Sequence, residues 1–265
     1  MNGAVISLCD NTGNMVRPWA EAGYECWAVD IQHSIRKDRT EQVGRGLIHF
    51  VWGDVRNYRR PVKQTPAFVI VQTPCTNTAV SGARDFAKKG GFMLRDALEM
   101  FEAARQVADW SGAPWCQEQP VTMLSSVPHI GKPDYYFHPW QYAGLCEDDN
   151  YTKKTCIWGG NGFVMPEPCL APHLGPPDNR IHFASPTDDR GDVRSAAPMG
   201  WARAVFQANS AVSLSAGRAG HEVGLASIDS PLSIPAMNGR DPESGVRGIG
   251  RRATTPDLPT ARVGE

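Results

Sequence analysis

Cys75 follows a proline in the stretch Val69-Ile70-Val71-Gln72-Thr73-Pro74-Cys75-Thr76. An apolar, β-branched run ending in a polar turn reads as a buried strand that has just stopped. A thiol at that point stands where a nucleophile is useful. Its ordinary pKa of about 8.5 falls beside a cation or a helix N-terminus, and Arg84 lies shortly downstream as the candidate cation. Glu118 closes a second run, Trp115-Cys116-Gln117, and leads into Gln119-Pro120-Val121. Sulfur and carboxylic acid together form a nucleophile and acid pair suited to a heterocyclic ring.

The elements that must position this pair follow from the pattern around it. Residues 4–9, 24–29, 47–52, 67–72 and 115–117 are short apolar runs with strand composition. They end at Asp10, Asp30, Asp54, Cys75 and Glu118 respectively. The turn cluster Asp10-Asn11-Thr12-Gly13-Asn14 precedes a predicted helix over 15–22, capped by Gly23. Apolar residues at Leu94, Ala97, Leu98, Phe101, Ala104, Val107 and Ala108 predict an amphipathic helix over 94–110. This alternation predicts an α/β fold, a doubly wound and mostly parallel sheet. Ligands of such sheets lie at the carboxyl ends of the strands, so all five polar residues are expected on one edge.

The first loop, with Asn11 and Gly13, would turn backbone N–H groups toward a ligand. A carboxylate after the second strand, Asp30, suits a ribose diol, because it offers two acceptor oxygens. Asp54 would accept from an adenine amino group. Asp10, Ile31 and Val55 complete the candidate cofactor residues. No GK[ST] sequence and no third glycine is present, which favours S-adenosylmethionine over a dinucleotide. The reaction that needs both a thiol and an acid is methyl transfer to carbon 5 of a pyrimidine. Addition of sulfur at carbon 6, with protonation of N3, makes carbon 5 nucleophilic enough to take the methyl.

In order along the chain, Ser7-Leu8-Cys9-Asp10-Asn11-Thr12-Gly13, Val29-Asp30, Gly53-Asp54-Val55, Thr73-Pro74-Cys75 and Glu118-Gln119-Pro120-Val121 resemble the motifs of DNA cytosine-5 methyltransferases. The set is closest to a short, phage-type branch of that family. Lys153-Lys154-Thr155-Cys156-Ile157-Trp158 and Arg194-Ser195, ahead of a predicted helix over 199–208, belong to the same pattern. The resemblance implies a methyltransferase-type Rossmann-like fold, with Cys75 as nucleophile, Pro74 and Arg84 beside it, and Glu118 as the N3 acid. It implies Ser195 near the cofactor, and Thr76, Lys153, Lys154 and Thr155 on the substrate. DNA is the implied partner, with a free pyrimidine nucleotide or a catalytically silent binding module as alternatives. Three departures stand out: Gln119 where the family has asparagine, a single proline before the nucleophile, and lysines in place of a Gln-x-Arg-x-Arg motif. Only 159–193 separates the last two motifs. That is too short for a folded reader of base edges, so site specificity would be low, come from a partner protein, or be irrelevant because the substrate is a free nucleotide.

The composition bounds the rest. The chain has 265 residues, 41% hydrophobic and 21% charged, with 27 basic against 28 acidic side chains. A net charge of -1 gives no global field for nucleic acid, so any contact needs a local patch. No apolar run suits a membrane span, and the N-terminus reads as a strand rather than a leader, so a cytoplasmic location is expected. Residues 1–209 read as the catalytic domain. Residues 210–265 lack Phe, Trp, Tyr and Lys and are expected to be a disordered tail. Seven dispersed cysteines form no CxxC pair, which predicts reduced thiols. Cys146, Cys156, Cys169, His173 and His182 match no regular zinc spacing, and no metal is expected. Tyr135, Tyr136, Phe137, His138, Trp140 and Tyr142 are expected mainly as packing, with base stacking as the alternative.

Overall fold

The structure, a computed structural model, describes residues 3–58, 65–181, 183 and 194–210. Its centre is β1 (Ala4–Leu8), every residue of which is buried. β1 pairs in parallel with β2 (Glu25–Asp30) on one side and β5 (Phe68–Val71) on the other. β4 (Gly46–Trp52) extends the sheet beyond β2, and β6 (Trp115–Pro120) extends it beyond β5, both in parallel. Antiparallel pairings add β3 (Arg39–Val43) at one edge, and β8 (Thr155–Gly160) then β7 (Tyr135–Phe137) at the other. The order is β3-β4-β2-β1-β5-β6-β8-β7. The winding direction reverses between β1 and β5, the point at which sheets of this kind place a ligand crevice, at the carboxyl ends of the strands.

Each face of the sheet carries its own core, as alternation along buried strands requires. One face packs on α1 (Arg17–Glu21) and α3 (Met199–Asn209), through Val5, Ile70 and Cys116 against Trp19, Trp201 and Val205. Trp19 stacks on Phe68 at 5.3 Å, and Trp201 stacks on Phe137 at 4.0 Å. Truncating a buried aromatic of this kind costs about 3–5 kcal/mol. The other face packs on α2 (Phe86–Trp110), through Ile6, Leu8 and Val71 against Phe101, Ala104 and Ala108.

The expected fold class matches the observed strand order, and the five parallel strands fall on the five apolar runs. Several details differ. Glu118 lies inside β6 rather than after it, opposite Ile157 of β8. The first helix is a single turn at Arg17–Glu21, and α2 begins at Phe86, interrupted at Gly90, whose φ is +71°. β3, β7 and β8 were not foreseen. β3 reads Arg-Thr-Glu-Gln-Val, the charged composition that protects a sheet edge from pairing with other chains. A tail beginning at position 210 lies outside the described residues, save Ser210, which is buried and donates its N–H to the Phe206 carbonyl.

Candidate active site

The loop after β5 is tied down from β6. Gln119 Nε2 donates to Thr73 Oγ1 at 2.9 Å and also to the Thr73 carbonyl. Gln117, two residues back on the same strand face, donates to the Phe101 carbonyl at 3.2 Å and approaches Thr73 Oγ1 at 3.5 Å. The Cys75 carbonyl then accepts from the N–H groups of Thr78 (3.0 Å) and Ala79 (2.8 Å). Thr122 Oγ1 and the Met123 N–H both reach the Thr78 carbonyl at 3.0 Å. Both ends of the turn are thus held, with Cys75 half-buried between exposed Pro74 and Thr76. Burial pushes its thiol up, while Lys153, Arg194 and Lys89 oppose that shift.

Glu118 points to the opposite face from Gln117 and Gln119, toward α3. It is 9% exposed, and its Oε1 has no hydrogen-bond partner. Burial pushes its carboxyl up to about 7, against the nearby Lys153 ammonium and the Trp201 indole, while Asp10 adds to the rise. Trp201 Nε1 approaches the carboxyl without full hydrogen-bond geometry. A carboxylic acid that keeps its proton near neutrality is a proton donor. Burial pulls the Lys153 ammonium down from its ordinary value, and the Glu118 carboxyl and the Cys75 sulfur oppose that shift, so one half-buried amine lies within electrostatic reach of the two groups. Thr155 is buried at the start of β8 and donates to the Lys153 carbonyl at 3.2 Å. Lys154 turns outward over the Tyr136 ring, at 4.7 Å.

The expected cofactor carboxylates meet around Cys9, whose thiol is pushed up by burial and by Asp30, Asp54 and Asp10. Their individual duties differ. Asp10 is spent on the loop itself: its Oδ1 accepts from Gly13 N (2.7 Å), Thr12 N and Thr12 Oγ1 (both 3.1 Å), and its Oδ2 from Ser7 Oγ (2.8 Å). Gly13 has φ +71°, and a Cβ there would sit 2.9 Å from the Phe50 ring, so the backbone comes closer than a side chain allows. Asp54 is paired by both oxygens with Arg56, which also meets Asp96 of α2. Asp30 is buried and uses Oδ1 on the Gln32 N–H at 2.8 Å; among the described residues its other oxygen has no side-chain or backbone donor. Val55 is buried in the α2-side core, Ile31 is 57% exposed, and exposed Asn11 bonds Gln32 at 3.5 Å.

Two expected residues stand apart. Arg84 is exposed, with Asp85 at 3.6 Å, and it is not among the cations acting on Cys75; Lys89, Lys153 and Arg194 are. Ser195 is exposed ahead of α3. Sequence reasoning missed Gln117, Lys89, Arg194 and Trp201. Only Gln117 carried a signal, its spacing of two from Gln119; the others approach from distant segments. Among the aromatics, Phe137 and Tyr142 are core, while Tyr135 and Tyr136 are partly exposed. A shallow cavity of about 200 Å³ is lined by Asp134, Tyr135, Gly159, Gly160, Gly162 and Phe163. It lies at the other end of β8, where Gly160 opposes Trp115, away from Cys75. Among the described residues, no group of three His, Cys, Asp or Glu is arranged to hold a metal, and no helix is long and apolar enough to cross a membrane; His182 lies outside them.

No family model matches the chain, and no curated protein matches it. Among solved structures, the glycopeptide N-methyltransferase MtfA is similar over 66% of this chain and 69% of its own, with 13% identity and a TM-score of 0.28. That superposition is too loose to carry an argument. The strand order itself establishes the fold class: a doubly wound, mostly parallel sheet of the Rossmann-like type.

Proposed function

We propose that the chain is an S-adenosylmethionine-dependent methyltransferase acting on carbon 5 of a cytosine ring, most simply in DNA, with residues 1–209 as the catalytic unit. The observation that carries the reading is Lys153, which interacts with both the Cys75 sulfur and the buried Glu118 carboxyl. The fold, the ordered motifs and the crevice between β1 and β5 support it. The donor site rests on Asp30, with an oxygen to spare for a ribose hydroxyl, and on the close-set backbone at Gly13. Both fit an adenosine group, whereas Asp10 and Asp54 act behind them by shaping the loops. When bound, the donor supplies an electrophilic methyl group on a sulfonium sulfur.

The protein's own part runs as follows. Cys75 would lose its proton to solvent, which burial resists and the three cations favour, and its sulfur would add to carbon 6. Glu118 would deliver its proton to N3, so that the ring electrons flow to carbon 5, which would take the methyl as its bond to the sulfonium sulfur breaks and a neutral thioether leaves. Loss of the carbon-5 proton to solvent breaks the sulfur–carbon bond, and N3 returns its proton to the Glu118 carboxylate. Gln119 holds Thr73 throughout, and with it the start of the turn that carries Cys75.

The test is tritiated methyl transfer to duplex DNA, single-stranded DNA, RNA and dCMP in parallel, with 5-fluorocytosine as a trap. Label in a cytosine substrate and a denaturant-stable adduct are expected, and Cys75→Ser should lose both while still binding the donor. Transfer undiminished in that variant removes Cys75 from the mechanism. Label in dCMP alone makes the enzyme a nucleotide methyltransferase. No transfer to any of the four, with donor binding intact, leaves the silent binding module.

A further inference from the structure

The charge around the β1–β5 crevice changes sign from one side to the other. Asp10, Asp30 and Asp54 act on Cys9 on the donor side. Lys89, Lys153 and Arg194 act on Cys75 on the other. These three cations come from separate elements. Lys89 lies near the start of α2 and donates from Nζ to the carbonyl of Thr76, next to Cys75. Lys153 precedes β8, anchored through Thr155, which opposes Pro120 of β6. Arg194 precedes α3, in a segment held over the glycine turn by Asn14 Nδ2 on the Ala197 carbonyl at 3.3 Å.

All three are half-buried. No ion pair joins any of them to a carboxylate among the described residues. The acidic groups that face Lys153 are Glu118, itself pushed toward neutrality by burial, and Asp149, which accepts from the Gly200 N–H at 2.6 Å. Half-buried positive charge without an ion pair is unfavourable, and an anion relieves it through charge-assisted hydrogen bonds. In a chain of net charge -1, such a concentration is a local feature and not a property of the whole surface.

We propose that Lys89, Lys153 and Arg194 form an oxyanion site beside Cys75 that takes a phosphate group of the nucleotide carrying the target ring. The inference deepens the proposed function and rests on it for the identity of the ring. The phosphate belongs to a free nucleotide or to a polymer backbone, and both present the same oxygens. Its place next to the sulfur would set the ring over Cys75, so that binding energy from a group that does not react orients the one that does.

The test reads Cys75 without requiring turnover. Alkylation of Cys75, mapped by mass spectrometry, is compared for anionic iodoacetate and neutral iodoacetamide, each relative to a small free thiol. The iodoacetate preference at Cys75 should exceed that of the free thiol by about tenfold at low salt. Lys89→Gln and Arg194→Gln should each lower it by about threefold, in proteins whose circular dichroism and melting are unchanged. A melt that shifts in one variant leaves the other, and the wild-type ratio, to decide. A wild-type ratio equal to the free thiol's, or one unmoved in both folded variants, overturns the site. Protection from iodoacetamide by deoxycytidine, dCMP and a cytosine oligonucleotide then identifies the source. Protection by dCMP at concentrations at least about tenfold below deoxycytidine supports a free nucleotide, and protection by the oligonucleotide alone supports a backbone phosphate. Equal protection, or none, from all three overturns the proposal. A charge effect without any methyl transfer retains the anion site and removes the methyltransferase, whereas transfer with a flat ratio does the reverse.

Discussion

Gln119 Nε2 donates to Thr73 Oγ1 at 2.9 Å, joining β6 to the residue two places before Cys75. The same nitrogen reaches the Thr73 carbonyl, and the group is 2% exposed. The longer glutamine arm therefore still reaches the nucleophile loop, from a strand neighbour of the proposed acid.

Removing that arm leaves the Thr73 carbonyl buried without its side-chain donor. Gln119→Ala should cost about 1–3 kcal/mol in urea unfolding. It should also lower the maximal rate of methyl transfer more than donor affinity, because the thiol loses its fixed place. An unchanged unfolding midpoint would deny the amide any such role.

Glu118 makes stability depend on pH. Its carboxyl is raised from 4.5 to about 7 by burial, so the folded state holds this proton more tightly than the unfolded chain. Between those two values the folded protein carries more protons, and stability falls as pH rises. The full effect is at most about 3 kcal/mol. Glu118→Gln should flatten this part of the profile and abolish methyl transfer. Parallel profiles for variant and parent from pH 4.5 to 7 would place the titration elsewhere.

Asp30 is the carboxylate with acceptor capacity left for a ribose hydroxyl. Asp30→Ala should weaken S-adenosylmethionine binding by at least about tenfold in calorimetry, on the strength of charge-assisted hydrogen bonds. Asp54→Ala should act less directly, by releasing Arg56 and its contact with Asp96. Equal affinity in the Asp30 variant and the parent would move the donor site away from β2.

The parallel centre of the sheet was legible because β1, β2, β4, β5 and β6 are buried runs bounded by turn residues, and a buried strand has little freedom to read otherwise. The edges were not. β3 is polar, β7 is three residues long, and β8 follows directly on the Lys153-Lys154 pair, whose charges mask its apolar run. The chemical edge was legible in outline, since Asp10, Asp30, Asp54, Cys75 and Glu118 all lie near the carboxyl ends of neighbouring strands. Their division of labour was not. Asp10 and Asp54 are satisfied by Gly13, Thr12, Ser7 and Arg56, and such hydrogen bonds depend on loop geometry that no spacing reveals. Among the cations on Cys75, Lys153 was expected on the substrate but not beside the sulfur, and Arg194 escaped for a related reason: it meets Cys75 only after the chain has folded back, whereas Arg84, close in sequence, points into solvent.

Trp201 lies on α3, stacks on Phe137 and brings its indole N–H toward the buried Glu118 carboxyl. A ribosome therefore releases the proposed nucleophile and acid long before the segment that bears on the acid. Until α3 docks, the carboxyl at position 118 lacks this neighbour, so a nascent chain would hold both groups before their surroundings are complete. The finished surroundings of the carboxyl would arrive late, with the seating of α3.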